Sequence, residues 1–313
     1  MLAYEHQGQG PAVVFIHGFG GSRAQWYAYL PAVAQAGFAA YALDLPGHGQ
    51  SPPPPARLPS TLAWVDDLAR WLDAHIAGPV HLVGHSLGGY LALAYAQRHP
   101  RRVRSLSLIA PLLAQDAIRA AQRGLLWLSN RLPYLPAAWP RGTGVLLRGL
   151  LALYPEAWHM RASQRRRRLA ELMAMSPRVV WALRRVPDLR PRVRGLPVRT
   201  WVVGGAHDSV LDPASYASLA QVLPHCTVWM LPHSGHIPHL SEPDALRVAL
   251  LAWLRGQPLP SPPHAARTRA GNTSPAGPRS TSSTTGVSAV SVGLTSTSRA
   301  PRSRASNGNP AAG

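Results

Sequence analysis

Short apolar runs alternate with amphipathic stretches along the first 256 residues of the chain. Each run is bounded by turn-forming or polar residues, which is typical of a buried β-strand. Such runs lie at 13–16, 38–43, 80–83, 103–109, 200–205 and 227–231, and one further strand fits at 3–6. Because strands separated by helices pair in parallel, the alternation predicts an α/β fold with a mostly parallel sheet and helices on both faces.

Helical stretches lie between the predicted strands, at 23–36, 61–75, 89–96, 213–222 and 243–255. Ser22 is placed to cap the first of these helices, and Gly37 ends it. The last two begin with proline, which fits a first helical turn because no N–H is needed there. Asp212, directly before Pro213, is interpreted as a helix cap rather than as a catalytic acid.

Residues 113–195 interrupt this alternation. Helical or strongly apolar stretches lie at 114–128, 145–154 and 176–185, and another begins at the arginine run 165–168. The pattern predicts a core formed by 1–112 and 196–256, with 113–195 inserted as helices. Seven apolar residues of this insertion are expected either to line a pocket or to pack the inserted helices together. They are Leu125, Trp127, Leu128, Leu146, Leu147, Leu150 and Leu151.

The last segment, 257–313, consists mainly of Pro, Ser, Thr, Gly, Ala and Arg. A segment with so few large apolar residues cannot bury enough surface to offset the entropy lost on ordering. We therefore expect it to be disordered. A tether and a read-through of a GC-rich reading frame both fit its composition.

The formal net charge of +19 comes entirely from arginine, because the chain contains no lysine. Residues 113–195 hold 16 arginines against four acidic residues, whereas the predicted core is near neutral. The run at 165–168 fits a solvated helix face, or a contact with anionic membrane surfaces through 113–195. No aromatic-basic module accompanies it, so a nucleic-acid partner is not expected.

The single cysteine, Cys226, excludes an intramolecular disulfide and is expected to pack as a small apolar side chain. A signal peptide is not expected from the first residues, since they lack a basic region followed by an apolar one. The sequence contains no run of about 18 apolar residues, so a transmembrane helix is not expected. These features together predict a cytoplasmic protein.

The most informative motif is Gly-His-Ser-Leu-Gly at 84–88, which has the form G-x-S-x-G. It follows the predicted strand at 80–83 and precedes the predicted helix at 89–96. A tight turn between a strand and a helix exposes the serine hydroxyl at the end of the sheet. Ser86 is therefore a candidate nucleophile.

A nucleophilic serine needs a base and an acid that orients the base. His236 lies in a Ser-Gly-His sequence after the strand at 227–231, and Asp208 follows the strand at 200–205. The chain order Ser, Asp, His is the order that this type of sheet uses. His239 is a second candidate for the base.

An oxyanion hole needs backbone N–H groups that point toward the nucleophile. The glycine-rich turn at 17–21 follows the strand at 13–16 and exposes such groups. The N–H of Phe19 and the N–H of Leu87, the residue after Ser86, are the candidate donors.

The chain resembles the α/β-hydrolase-fold serine hydrolases, a superfamily of esterases, lipases and acyl hydrolases. The matching motifs are 17–21, 44–51, 84–89, Asp208 and 235–236. In this family they are the oxyanion turn, a structural loop, the nucleophile elbow, the acid and the base. The resemblance covers about residues 3–256 and implies that 113–195 form a helical cap over the active site.

The remaining histidines have other expected roles. The resemblance implies structural hydrogen bonds for His17, a tight loop for His48 and packing for His85. His207 and His233 are expected either at the surface or behind the residues that form the site.

We expect an enzyme that uses neither metal nor cofactor and cleaves a carboxylic ester through an acyl-serine intermediate. Family members with dehalogenase or epoxide hydrolase activity use aspartate at the elbow, so Ser86 argues against both. Acyl transfer, C–C bond hydrolysis and cofactor-free haloperoxidase chemistry use the same triad and stay open. So does a lipase or lysophospholipase recruited to anionic membranes, while an intact triad argues against a non-catalytic binding module.

Overall fold

The computed structural model describes residues 1–54, 60–119, 124, 162–176, 179, 183 and 186–262. The seven apolar candidates between Leu125 and Leu151 lie outside the described residues, as does nearly all of the predicted tail. The division into a core, an inserted helical cap and a disordered tail therefore stays a prediction.

The centre of the fold is a seven-stranded sheet with the strand order β1-β3-β2-β4-β5-β6-β7. The strands are β1 Tyr4–Gln7, β2 Ala12–Ile16, β3 Ala39–Leu43, β4 Val80–His85, β5 Val103–Ile109, β6 Thr200–Gly205 and β7 Cys226–Leu231. All neighbours pair in parallel except β1, which runs antiparallel to β3 at the edge. The predicted α/β class with a mostly parallel sheet is confirmed.

The helices of the described segments are α1 Leu30–Gln35, α2 Thr61–His75, α3 Leu87–Arg98, α4 Ala162–Ala174, α5 Ala214–Ala220, α6 Pro238–Ser241 and α7 Pro243–Leu254. Successive side chains of a strand point to opposite faces of the sheet. Val14 and Leu82 accordingly join the apolar layer formed with α2 and α3. Val13 and Val83 join the layer formed with α1 and α7. Helices thus cover both faces.

Two predicted helices differ from the structure near their first residues. Instead of one helix over 23–36, a 3-10 turn at Arg23–Trp26 precedes α1. Pro31 explains the break, because proline fits only the first turn of a helix and so forces a new start. The helix predicted over 114–128 is wrong at its beginning, since Ile118 is extended and forms an isolated bridge with Leu211.

The loop after β3 is folded around the buried carboxylate of Asp44. This carboxylate accepts hydrogen bonds from the N–H of Arg23 at 2.7 Å and from the N–H of Gln50 at 2.9 Å. The Ser51 hydroxyl donates to the Asp44 carbonyl at 2.7 Å. These bonds hold the loop against the sheet and fix the position of His48.

No helix in the described parts of the chain combines the length and apolar character needed to cross a membrane.

Candidate active site

Ser86 occupies the sharp turn between β4 and α3 with φ 50° and ψ −112°, a conformation that side-chain-bearing residues rarely adopt. Its N–H donates to the Ile109 carbonyl at 2.9 Å, and its carbonyl accepts from the Leu112 N–H at 3.0 Å. These two bonds to the end of β5 and the loop after it hold the strained turn in place. The geometry agrees with the predicted elbow.

Two glycines allow the elbow to form. A Cβ at Gly84 would lie 2.5 Å from the Gly88 carbonyl oxygen, and a Cβ at Gly88 would lie 2.3 Å from the Ile16 carbonyl oxygen. Both contacts are far below van der Waals distance and involve backbone, which can give way only if a strand or a helix shifts. The motif therefore needs glycine at these positions because β2, β4 and α3 approach one another so closely.

Ser86, His236 and Asp208 form a continuous chain of hydrogen bonds. Ser86 Oγ lies 3.0 Å from His236 Nε2, and His236 Nδ1 lies 2.7 Å from Asp208 Oδ2. A carboxylate only accepts hydrogen bonds, so Nδ1 carries the proton and Nε2 is left to accept from the serine hydroxyl. All three side chains are buried.

Asp208 and His236 lie in the loops that follow β6 and β7. The carboxyl ends of parallel strands meet at one edge of a sheet, which is where α/β proteins place their sites. A Cβ at Gly205 would lie 2.2 Å from the Gly235 carbonyl oxygen. The glycine thus lets the two loops approach, which brings the carboxylate and the imidazole together.

Four donors surround the Asp208 carboxylate. Oδ1 accepts from the N–H groups of Val210 and Leu211, each at 2.8 Å, while Oδ2 accepts from the Tyr216 hydroxyl and from His236. Burial alone would raise the pKa of Asp208. The attraction of His236 and the hydrogen bonds outweigh it, so this pKa lies below its ordinary value and the group is a carboxylate near neutral pH.

The turn at 17–21 lies directly beside Ser86, since a Cβ at Gly18 would be 3.1 Å from Ser86 Cβ. The Gly18 carbonyl accepts hydrogen bonds from the Gly21 N–H at 3.0 Å and from His17 Nδ1 at 2.7 Å. This carbonyl and the Phe19 N–H belong to the same peptide unit. The two bonds therefore fix the direction of the N–H and polarise it.

Phe19 and Leu87 are the two predicted oxyanion donors. Within the described parts of the chain, neither N–H donates a hydrogen bond. Leu87 is the first residue of α3, where the helix dipole adds partial positive charge. Both N–H groups are thus available to a ligand at Ser86.

Two buried histidines, His17 and His48, form hydrogen bonds that stabilise the turn at 17–21 and the loop after β3. The Leu45 N–H donates to His17 Nε2 at 2.9 Å and the Gly20 N–H donates to His48 Nε2 at 3.1 Å, so both rings carry their proton on Nδ1. Burial is the main cause that lowers the pKa of His17 to about 3 and that of His48 well below its ordinary value. Both rings are neutral and structural, in agreement with the sequence-based expectation.

A family model described as the alpha/beta hydrolase fold matches residues 11–243. The chain belongs to the α/β hydrolase fold family. A protein of Variovorax paradoxus that carries the name of a carbamate hydrolase, RutD, is 32% identical over 84% of this chain and 99% of its own length. A pimeloyl-[acyl-carrier protein] methyl ester esterase of Aeromonas hydrophila is 30% identical over 78% of this chain and 95% of its own length.

Solved structures agree with this assignment. An esterase of Thermogutta terrifontis superimposes with a TM-score of 0.70 at 25% identity, over 82% of this chain and 93% of that one. Together with the matched family, these similarities identify the protein as a hydrolase.

In this α/β hydrolase, His85 has a contact that sequence reasoning missed. Its Nε2 donates to the backbone carbonyl of His236 at 2.8 Å, so the elbow and the loop of the candidate base are joined directly. Burial, with smaller contributions from His239 and His236, holds the pKa of His85 well below its ordinary value. The expectation of simple packing was therefore incomplete.

His239, the second candidate for the base, does not contact Ser86. It is fully buried, stacks on Trp26 with ring centroids 4.9 Å apart, and neither ring nitrogen has a hydrogen-bond partner in the described structure. Burial, with contributions from Arg168 and His236, lowers its pKa to about 3. The geometry favours His236 as the base.

The remaining sequence-based expectations concern two exposed histidines, a helix cap and the single cysteine. His207 and His233 are exposed, as expected. Asp212 Oδ1 accepts from the Ala214 N–H at 3.1 Å, which agrees with a role in capping α5. Cys226 is partly buried against the core, and burial raises its pKa to about 11.

The arginine run is split by the fold. Arg165, Arg166 and Arg167 are exposed on α4, whereas Arg168 is turned toward the turn at 17–21. The interpretation as a solvated face therefore fits three of the four. No group of three or more metal-ligating side chains occurs in the part of the chain that the structure describes.

Proposed function

We propose that the protein hydrolyses carboxylic esters through an acyl intermediate on Ser86. The observation that carries this proposal is the hydrogen-bonded chain from Ser86 Oγ through His236 to the Asp208 carboxylate, with distances of 3.0 and 2.7 Å. The N–H groups of Phe19 and Leu87, which donate to no acceptor in the described part of the chain, lie at the same edge of the sheet. A nucleophile, a base, an orienting acid and oxyanion donors are the parts that acyl transfer needs.

In the first half of the reaction, Ser86 Oγ attacks the ester carbonyl carbon while His236 Nε2 takes the hydroxyl proton. The carbonyl oxygen becomes an oxyanion and accepts hydrogen bonds from the N–H groups of Phe19 and Leu87. Asp208 stabilises the imidazolium through Nδ1–H. When the tetrahedral intermediate collapses, His236 passes its proton to the leaving alkoxide, and the alcohol departs.

The second half repeats these steps with water. His236 Nε2 takes a proton from a water molecule as its oxygen attacks the acyl carbon on Ser86. The same two N–H groups hold the second oxyanion. Collapse returns the proton to Ser86 Oγ and releases the carboxylic acid.

The substrate is a small molecule with an activated carbonyl. Esters are the first choice, because the Aeromonas hydrophila and Thermogutta terrifontis relatives are both named esterases. The name of the Variovorax paradoxus relative makes carbamates the second choice. A carbamate carbonyl is attacked by the same serine, so both substrate classes rest on one site.

Replacing Ser86 with alanine tests the proposal. We expect kcat on p-nitrophenyl esters to fall by about 10⁴- to 10⁶-fold, because the hydroxyl that His236 deprotonates is removed. A series from acetate to decanoate, with a p-nitrophenyl carbamate beside it, would define the acyl group and separate the two substrate classes.

The matched control is Ser107→Ala. Ser107 is a buried serine of β5 whose Oγ has no hydrogen-bond partner among the described residues, so its removal should leave turnover unchanged. Circular dichroism would establish that both variants fold. Equal ester hydrolysis by wild type and Ser86→Ala would exclude Ser86 as the nucleophile.

A further inference from the structure

One face of α4 is packed against the turn that carries Phe19. Arg168, Glu171 and Leu172 are spaced by three and four residues, so they share this face. The Glu171 carboxylate accepts from the Ser22 hydroxyl at 2.7 Å. The Leu172 side chain fills the space beside Gly20, where an added Cβ would lie 2.2 Å from Leu172 Cδ2.

Arg168 makes the most direct contact of this face. Nη1 donates to the Gly20 carbonyl at 3.0 Å and Nη2 donates to the Phe19 carbonyl at 3.2 Å. Only 12% of the side chain is exposed, and Glu171 lies 3.5 Å away as its counter-charge. A charged donor on two successive carbonyls is stronger than a neutral one, and the fork of a guanidinium fits both at once.

We propose that Arg168 is a positioning residue for the oxyanion hole, holding the turn so that the Phe19 N–H points at the reacting carbonyl. The inference rests on the proposed function, since it assigns a role to the same site. Its basis is the Phe19–Gly20 peptide, which is held at both ends. The Phe19 carbonyl accepts from Arg168, and the Gly20 N–H donates to His48 Nε2 at 3.1 Å.

A peptide unit is planar, so two bonds on opposite sides fix its orientation. The next peptide toward the N-terminus, which contains the Phe19 N–H, is fixed by the bonds to the Gly18 carbonyl. Arg168 also holds the following carbonyl, that of Gly20. The guanidinium thus stabilises the turn from α4, a helix about 150 residues away along the chain.

Arg168→Met, with Arg166→Met as the matched control, tests the proposal. Methionine keeps an unbranched apolar stem but removes both donors, and Arg166 is an exposed arginine of the same helix. We expect Arg168→Met to lower kcat by about 10- to 100-fold with little change in KM, because a displaced N–H weakens the transition state more than the bound ester. Arg166→Met should match wild type.

A thionoester substrate separates positioning from general damage. In a thionoester the developing charge resides on sulfur, which is a weak hydrogen-bond acceptor. Its turnover therefore depends less on a well-placed N–H. In Arg168→Met the ratio of ester to thionoester turnover should fall by about the same factor as kcat for the ester. An unchanged ratio, whether or not both rates fall, would overturn the proposal.

Arg168→Lys keeps the positive charge but cannot reach both carbonyls with one fork, so it should lie between wild type and Arg168→Met in this ratio. If Arg168→Met does not fold, the lysine variant alone decides, and a wild-type ratio in it would contradict the proposal.

Ester turnover of Ser86→Ala is measured in parallel. If Ser86→Ala hydrolyses the ester as fast as wild type, the proposed function itself is refuted. If Ser86→Ala is inactive but the ester-to-thionoester ratio is unchanged in the Arg168 variants, only the role of Arg168 is refuted.

Discussion

In four histidines around Ser86, the hydrogen-bonding neighbours determine which ring nitrogen carries the proton, because each neighbour can only donate or only accept. Backbone N–H groups donate to Nε2 of His17 and His48, and a backbone carbonyl accepts from Nε2 of His85. The Asp208 carboxylate places the proton of His236 on Nδ1. Of these four, His236 is the one whose unprotonated nitrogen lies within hydrogen-bond distance of Ser86 Oγ in the described structure, which assigns the base by geometry.

Asp208→Asn tests the control of the tautomer. An amide cannot stabilise the imidazolium, and its NH₂ group favours the tautomer with the proton on Nε2, which cannot accept from Ser86. We expect kcat on an ester to fall by about 10⁴-fold.

The control is Asp212→Asn, four residues away. In the described structure the Asp212 side chain accepts from the Ala214 N–H, which an asparagine oxygen can also do. Near-wild-type turnover is expected there. Wild-type turnover in Asp208→Asn, or a loss of equal size in both variants, would contradict a specific role of Asp208 in orienting His236.

Among individual residues, the sequence analysis predicted those that a local sequence pattern identifies. Ser86 lies in a strand-turn-helix motif, while Asp208 and His236 each follow a strand, and the structure brings these three together. His85 and Arg168 were missed because their partners lie 151 and about 150 residues away, where no local pattern indicates the contact. Their roles follow from the packing of elements, which requires the fold.

The elements meet most closely where β2, β4 and α3 converge. Gly88→Ala would place a Cβ 2.3 Å from the Ile16 carbonyl oxygen and 2.6 Å from that of His17. Both atoms belong to the backbone, so α3 or β2 must shift. We expect the free energy of unfolding in urea to fall by about 3 kcal/mol.

Gly78→Ala is the matched control, because an added Cβ there meets no atom within 4 Å. Its free energy of unfolding should stay within about 0.5 kcal/mol of wild type. Equal stability of the two variants would show that the close approach at the elbow is not a constraint.

Element boundaries were predicted well where the signal was periodic and poorly where proline or tertiary pairing intervened. The span of α2 agrees with the prediction over 61–75, because Ser60 caps it and its apolar face is regular. The helix expected from residue 23 is instead divided before α1, whose first turn contains Pro31. Ile118 became extended because Leu211 pairs with it, and this partner is distant in sequence.

At the scale of the whole molecule, the described parts of the chain contain five buried histidines whose pKa values are lowered, mainly by burial. The pKa of His17 and of His239 is about 3 and that of His81 about 4, and those of His48 and His85 lie well below the ordinary value. Below about pH 6.5 the unfolded chain binds protons at these rings and the folded protein does not. Stability is therefore fully present above that pH and is lost as the pH falls toward 4.

Urea unfolding at several pH values checks this expectation. Each neutral buried histidine contributes a slope of up to about 1.4 kcal/mol per pH unit below pH 6.5. His81→Gln should reduce that slope, because it removes one of the five rings. A free energy of unfolding that is constant between about pH 7.5 and 5 would contradict the assignment of neutral buried rings.

The central claim is that Ser86 is activated by His236 to form a covalent acyl intermediate. A fluorophosphonate probe reports this directly, because it reacts with a serine only where a base and an oxyanion hole are assembled. Intact-protein mass spectrometry should show one adduct per chain, and peptide mapping should place it on Ser86, with none in Ser86→Ala and full labelling in Ser107→Ala. A folded wild-type protein that stays unlabelled, or that carries the adduct on another serine, would contradict the account.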